Sequence, residues 1–321
     1  MTDAVQQTDR QRLADARRWV VKVGSALLTN DGRGLDASVV KMLADQLAAL
    51  RSGGCDVVLV SSGAIVAGLA RLNLAERPHE VHLSQAAAAV GQSALVRAYE
   101  EHLSPHGVTT AQILLSHADV RARDRYLNAR STLSTLLAMN VLPIVNENDT
   151  VVTDEIRLGD NDTLAALVAN LVDADALLIL TDQDGLMDSD PRQSADAALI
   201  QTADVHDSSL DAIAGAGSAL GRGGMATKLS AARLAARSGT ATVIANGRLP
   251  NAITQVAGGA LLGTFLQTQR QPQSARKQWL ASLLHAQGSL VLDDGAVRGV
   301  SDQGRSLLPI GVVSVAGDFQ R

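Results

Sequence analysis

The residues Val21-Lys22-Val23-Gly24-Ser25 set one lysine between valines and follow it with a glycine and a serine. A lysine in such apolar company is costly to bury unless its charge meets an anion. Gly24 and Ser25 would let backbone N–H groups approach a phosphate closely. A lysine that snorkels out at a strand end is the alternative. Ser61-Ser62-Gly63-Ala64-Ile65 offers small hydroxyls and a glycine at a strand-to-helix turn. That suits a carboxylate or oxyanion at the helix N-terminus, or simply an N-cap at Ser62. The Gly-x-Ser-x-Gly pattern of a hydrolase nucleophile is missing. Asn146-Glu147-Asn148-Asp149 places four polar residues behind an apolar run, able to hydrogen-bond an ammonium or amide, or to build an Asn/Asp turn.

Three further stretches extend the set. Gly159-Asp160-Asn161-Asp162 opens a segment with helical spacing; one of these residues serves as N-cap, and Asp162 could orient two cations or the ligand shell of Mg²⁺. Thr181-Asp182-Gln183-Asp184-Gly185-Leu186 follows another apolar run and fits either a nucleotide contact or a turn. Gly215–Gly224, five of whose ten residues are glycine, runs into Met225-Ala226-Thr227-Lys228. A flexible loop entering a helix that carries a lysine fits a phosphate cradle, although the Gly-x-x-x-x-Gly-Lys-Ser/Thr P-loop is absent. Lys22, Lys41, Lys228 and Lys277 are the only lysines, so 24 of the 28 basic residues are arginine. A lysine kept against that bias raises the question whether its compact ammonium is needed. Two such lysines, two Gly-rich turns, an Asp-Asn-Asp helix start and no nucleophile–base pair fit phosphoryl transfer, where positioning and charge neutralisation do most of the catalysis.

The elements that must position these residues are visible as apolar runs at Trp19–Val23, Val57–Ser61, Thr110–Leu115, Val141–Val145, Leu177–Thr181 and Thr242–Ala245. Between them lie segments of helical spacing, such as Leu164, Leu167, Val168 and Leu171. Continuous apolar strands alternating with amphipathic helices predict an α/β domain, a mostly parallel sheet sandwiched between helices. Its strand ends are where open α/β sheets place ligands. The predicted organisation is a polar N-terminal tail over 1–16, the α/β domain over 17–268, a linker over 269–277 and a small β-rich module over 278–321, with strands at Gly288–Asp293 and Ile310–Val315.

Composition closes off other classes. The chain has 321 residues, 46% of them apolar, and a net charge of −5, which argues against disorder. Cys55 is the only cysteine, so disulfide scaffolds and Cys-based zinc sites drop out. His79/His82 and His102/His106 have no further ligand at metal spacing and read as surface histidines. An acidic chain with 2 Trp, 2 Tyr and 2 Phe is a poor nucleic-acid binder. A polar start without an apolar segment, and no apolar run near the ~20 residues that span a bilayer, predict a cytoplasmic protein with no membrane partner.

Taken in order, Lys-Val-Gly-Ser, Val-Ser-Ser-Gly-Ala-Ile, Asn-Glu-Asn-Asp, Gly-Asp-Asn-Asp, Thr-Asp-Gln-x-Gly-Leu and Gly-Gly-Met-x-Thr-Lys-Leu resemble the amino acid kinase superfamily, over roughly Trp19–Leu266. Within it they look like the branch that acts on free L-glutamate. The tail after Ala275 resembles the start of a PUA module. The resemblance implies ATP- and Mg²⁺-dependent phosphorylation of the γ-carboxylate of L-glutamate to L-glutamyl 5-phosphate, the first step of proline biosynthesis. It implies that Lys22 and Lys228 stabilise the transferring phosphoryl group and that Asp162 holds them. Ser62, Asp149 and Asn161 would bind glutamate. ATP would be bound by Lys22, Thr181, Asp182, Arg222, Gly223, Gly224, Met225, Ala226, Thr227 and Lys228, with Mg²⁺ carried by ATP rather than by a direct protein ligand set. It further implies L-proline as a feedback inhibitor and a homo-oligomer, dimer or tetramer. Arg222 stands where the family usually has Thr, and Met187 where an aromatic is common. The alternatives are a kinase of the same fold acting on N-acetylglutamate, aspartate, carbamate or UMP, or a binding protein that senses an amino acid or holds RNA through its tail.

Overall fold

Strands form where Val, Ile and Leu run without interruption and both faces can be covered. The computed structural model describes residues 10–29, 34–74, 76, 78–151, 161–189, 196–215, 224–268, 288–301, 304 and 306–317. Eight strands make one sheet: β1 (Arg18–Val23), β2 (Asp56–Ser61), β3 (Thr110–Leu115), β4 (Leu142–Glu147), β5 (Ala176–Thr181), β6 (Thr202–Asp204), β7 (Ala241–Asn246) and β8 (Thr264–Gln267). Their order is β3-β4-β2-β1-β5-β7-β8-β6, parallel throughout except for the β7–β8 pair. The α/β sandwich with a mostly parallel sheet is therefore present. All six anticipated strands form, with ends differing by a residue or two.

One difference matters for the site. Asn146 and Glu147 are not in a turn but complete β4, paired with Leu114 and Leu115 of β3. The short strands β6 and β8 were not anticipated, because Thr202-Ala203-Asp204 contains no apolar run and β8 has only four residues.

The helices that bear on the site are α1 (Ser25–Leu28), α2 (Ala37–Ser52), α3 (Ala64–Arg71), α4 (Val81–Leu103), α5 (His117–Arg121), α6 (Asn161–Leu171) and α7 (Met225–Ala236). Helix α2 starts at an Asp36 cap that accepts from the Ser38 and Val39 N–H groups, and it buries Val40, Leu43, Ala44 and Leu47 at helical spacing. Helix α6 is buried at Asp162 and from Leu164 to Leu171, including the predicted Leu164, Leu167, Val168 and Leu171, and it packs against both the sheet and α7. Helices α3 and α4 meet backbone to backbone. A Cβ on Gly68 would stand 1.7 Å from the Ala87 carbonyl oxygen, and one on Gly91 1.7 Å from that of Ala64. The run Gln85–Gln92 thus forms a helix whose small residues permit this approach.

Arg10, within the stretch whose composition reads as a polar tail, is fully buried beside the β8 edge, with Leu13 and Ala16 also in the core. Its guanidinium donates to the carbonyls of Ala260, Leu262, Gln201 and Gly263 at 2.5–2.8 Å.

The chain divides into two compact units, Met1–Ser282 and Leu283–Arg321. The second contains β9 (Gly288–Leu292) antiparallel to β10 (Val312–Gly317), with a helix at Asp294–Ser301 between them. Residues Pro309–Gly311 form a single helical turn rather than the start of a strand. The predicted linker 269–277 lies outside the described residues.

Candidate active site

The carboxyl ends of the parallel strands lie along one edge of the sheet, where Val23 stands beside Ser61, Leu115 beside Glu147 and Thr181 beside Asn246. Strand β1 is central, with β2 on one side and β5 on the other. The connections diverge there, which opens a crevice beyond the strand ends.

Lys22 is the penultimate residue of β1. Trp19, Val21 and Val23 belong to the core cluster on one face, so strand alternation sends Lys22 to the opposite face, under α6. Its ammonium lies 2.5 Å from Asp162 Oδ1. The other carboxylate oxygen accepts from Lys228 Nζ at 3.2 Å and from Thr227 Oγ1 at 2.9 Å. Asp162 is 1% exposed, and both lysines are buried. Burial alone would raise the Asp162 carboxyl. The charges of Lys22 and Lys228, with hydrogen bonds from Lys22 and Thr227, more than offset this and hold it below the usual carboxylate range. Two ammonium groups on one carboxylate leave a single net positive charge. Such a donor set fits an incoming phosphate.

Thr227 and Lys228 occupy the first turn of α7, which starts from Gly224. Thr227 Oγ1 also lies 2.7 Å from the Gly224 carbonyl, so its one proton is shared between the helix start and Asp162. Met225 and Ala226 lie half-buried in that turn. Arg222 and Gly223 lie outside the described residues, as do Gly159 and Asp160.

Next to Asp162, the Asn161 amide donates to Ser62 Oγ at 2.8 Å, to Asn146 Oδ1 at 3.0 Å and to the Ser61 carbonyl at 3.3 Å. Ser62, Asn146 and Asn161, from three segments distant in sequence, form one polar cluster. Gly63 has φ +100°, which favours glycine and lets the chain turn from β2 into α3 directly after Ser62. Asp149 lies half-buried in the turn beyond β4, three residues past Asn146.

Thr181 ends β5 and donates to the exposed Asp182 carboxylate at 3.2 Å. The loop behind them turns at Gly185, where φ is +150° and a Cβ would meet Thr264 Oγ1 at 2.6 Å. Asn246 Nδ2 donates to Asp184 at 2.9 Å. Together these groups line the β5–β7 part of the edge, next to Lys22.

Of three neighbours of the site, Gln92 carries little signal in the sequence. Gln92 of α4 is buried, accepts from Asn146 Nδ2 and donates to the Glu147 carbonyl, each at 3.2 Å. Glu147 is buried with His117 Nε2 4.0 Å from its carboxylate. Thr227 was anticipated as a nucleotide contact, not as a partner of Asp162. The clue available for Gln92 was one long polar residue in a stretch of alanines and glycine. Among the described residues no cluster of three or more His, Cys, Asp or Glu side chains could hold a metal ion.

The sheet and its carboxyl-edge crevice define the class first. The fold is shared with the UMP kinase of Bacillus anthracis (TM-score 0.55, 14% identity, 79% of this chain and 97% of that one) and of Ureaplasma parvum (TM-score 0.54, 18% identity, 79% and 99%), a likeness of fold alone. The amino acid kinase family model matches residues 17–246, and the chain belongs to that family. It is similar to the glutamate 5-kinase of Chromohalobacter salexigens, 58% identical over 316 residues, 98% of this chain and 84% of that protein. The glutamate 5-kinase of Hahella chejuensis is 60% identical over 313 residues, 97% and 81% respectively. The chain is thus a kinase of a family that uses ATP and acts on small molecules. Among the described residues no helix is long and apolar enough to cross a membrane.

Proposed function

We propose that this chain transfers the γ-phosphoryl group of ATP to the γ-carboxylate of L-glutamate, giving L-glutamyl 5-phosphate and ADP, the first step of proline biosynthesis. The observation that carries this reading is the buried Lys22–Asp162–Lys228 trio beside the Ser62–Asn161–Asn146 cluster. One half offers cationic donors to a phosphoryl group, and the other offers polar groups to a small polar acceptor. The glutamate 5-kinase relatives, aligned over 97% or more of the chain, support the acceptor.

In this reading Lys22 and Lys228 donate to the oxygens of the transferring group, where charge shifts as the bond to the leaving oxygen stretches. Asp162 supplies the counter-charge that aims both ammonium groups. Ser62 and Asn161 orient the acceptor, and Asp149 receives its ammonium. Thr181, Asp182 and the segment Arg222–Lys228 hold the nucleotide. Mg²⁺, carried on the ATP phosphates, supplies further charge neutralisation when bound. A carboxylate oxygen of glutamate forms the new bond to phosphorus, the bond to the β–γ bridging oxygen breaks, and that electron pair leaves with ADP. The nucleophile is already an anion, so no proton moves and no general base is required.

Residues 17–268 would form the kinase domain, joined through 269–277 to the partial PUA-like module at 278–321. The reading includes a cytoplasmic homo-oligomer inhibited by L-proline at or overlapping the glutamate site. The test is ADP release from Mg-ATP with L-glutamate, N-acetyl-L-glutamate, L-aspartate or UMP, each with and without L-proline. Turnover confined to L-glutamate and suppressed by L-proline is expected. Turnover on another acceptor reassigns the cluster around Asn146.

A further inference from the structure

Gln92 lies on α4, behind the polar cluster. It is 5% exposed, and Asn146 separates it from Asn161 and Ser62. A buried amide in a helix made of alanine, glycine and valine loses packing and desolvation free energy unless both its ends are satisfied. Here both are. Nε2 donates to the Glu147 carbonyl, and Oε1 accepts from Asn146 Nδ2.

The direction of these bonds matters more than their number. A carbonyl can only accept, so the Glu147 carbonyl requires the Gln92 NH₂ to face it, and Oε1 must then face Asn146. Asn146 therefore presents its NH₂ to Gln92 and its oxygen to Asn161. The Glu147 N–H, which donates to Asn146 Oδ1 at 2.8 Å, imposes the same orientation independently. Asn161 must then present its own NH₂ to Asn146, and that same group meets the Ser61 carbonyl and Ser62 Oγ. Three backbone groups thus agree on one sense for the chain Gln92–Asn146–Asn161–Ser62. At its end Ser62 Oγ is an acceptor from Asn161, so the hydroxyl proton of Ser62 is left to donate away from the cluster. A hydroxyl donor flanked by amides recognises an anionic oxygen.

We propose that Gln92 is a positioning residue for the acceptor. It locks Asn146, and through it Asn161 and Ser62, in the sense that turns the Ser62 hydroxyl proton toward a carboxylate of the bound substrate. Gln92 acts through Asn146 and not by touching substrate. The inference rests on the proposed phosphorylation of L-glutamate.

The test is a double-mutant cycle of Gln92→Met and Ser62→Ala in the full chain, read as KM for L-glutamate, KM for ATP and kcat, with thermal unfolding alongside. Methionine keeps the length and most of the volume but neither donates nor accepts strongly. Gln92→Met is expected to raise KM for L-glutamate about tenfold, the scale of losing one oriented hydrogen bond, and to leave KM for ATP within about twofold. In the Ser62→Ala background the same change is expected to add less than about twofold, because the group it orients is gone. Should Gln92→Met not fold, the cycle is run with Gln92→Glu, whose second carboxylate oxygen would face the Glu147 carbonyl and disturb the same chain.

Effects that multiply across the cycle, an unchanged KM for L-glutamate, or equal rises in both KM values would overturn the proposal while leaving the glutamate reading intact. A wild-type chain that does not turn over L-glutamate at all removes that reading, and the inference with it.

Discussion

Replacing Asp162 by Asn isolates the electrostatics on which the site depends. The two side chains are nearly the same shape, but the variant faces two buried ammonium groups with a neutral amide whose NH₂ repels them. The Lys22 contact at 2.5 Å and the Lys228 contact at 3.2 Å both lose their counter-charge, in a place where Asp162 is 1% exposed. Breaking a buried ion pair from one side costs about 3–5 kcal/mol, since the remaining charge stays desolvated and unpaired. With an m-value near the upper end for small domains, about 3 kcal/mol/M, the urea midpoint at pH 7 should fall by about 1 M or more. The Lys41–Asp45 pair is the control. Its side chains are 60% and 40% exposed, so Asp45→Asn should cost less than about 1 kcal/mol despite a 2.6 Å contact. The pH dependence has a definite sign. The fold holds the Asp162 carboxyl below its ordinary value, so its contribution is fully present above the unfolded-state value of about 4 and is lost as pH falls through the lower folded value. Asp162→Asn should therefore lose most at neutral pH and converge on wild type in acid. An Asp162→Asn variant within about 1 kcal/mol of wild type at pH 7, or a difference that does not shrink on acidification, would refute this account.

Other expectations follow from the same structure. Lys228→Ala should lower kcat by about 10²-fold or more, the scale of losing one transition-state donor, measured by ADP release at saturating substrates. Gly91→Ala places a methyl where the Ala64 carbonyl now sits, so α3 and α4 must separate. A loss of about 3 kcal/mol is expected, seen as a Tm about 6–12 °C lower, with a raised KM for L-glutamate because α3 begins beside Ser62. Arg10→Met leaves four carbonyls without their donor and should cost roughly 3 kcal/mol in urea unfolding, with kcat unchanged at 25 °C because the β8 edge is remote from Lys22.

What the sequence made legible follows from where each residue's partners lie. Of the six main strands all but the half-buried edge strand β3 are buried on both faces, which demands continuous apolar runs, and those are read by eye. Lys22 stood out for a related reason, as a charge in an apolar run, whereas Asp162 stood out as an acid at a helix start and Lys228 as one of four lysines, placed behind a Gly-rich loop. Strands β6 and β8 were not legible because nothing local makes them. They are held by Gly263, whose Cβ would strike the Ile244 carbonyl at 2.2 Å, and by Arg10 from some 250 residues away. Asn146 and Glu147 allow a turn as one reading beside ligand binding, because polarity after an apolar run often means one. Their strand conformation is set by the ladder with β3, a pairing across the chain. Gln92 ends a run of small residues typical of a packing helix, and that helix does pack closely. Its second role depends on partners 54 and 55 residues away, and one-dimensional spacing carries no trace of them.

The division of charge between the two halves of the site explains why one aspartate is shared by two lysines. In the proposed reaction a carboxylate must approach a phosphoryl group that is itself anionic. Two unit charges 4 Å apart at an effective dielectric of about 20 repel by about 4 kcal/mol. Two lysines with no counter-ion would offset that repulsion most strongly. In the free enzyme, however, they would lie buried side by side with their charges uncompensated, which is costly. Adding Asp162 leaves a net charge of +1, enough to offset one such repulsion while giving both ammonium groups a counter-charge in the free state. Thr227 adds a further donor at the same Oδ2, its one hydroxyl proton shared between Asp162 and the Gly224 carbonyl. The two halves meet at adjacent residues of one helix, Asn161 turned to the acceptor cluster and Asp162 to the lysines. The start of α6 is therefore the single element that sets the distance between the carboxylate to be phosphorylated and the charges that stabilise its transfer.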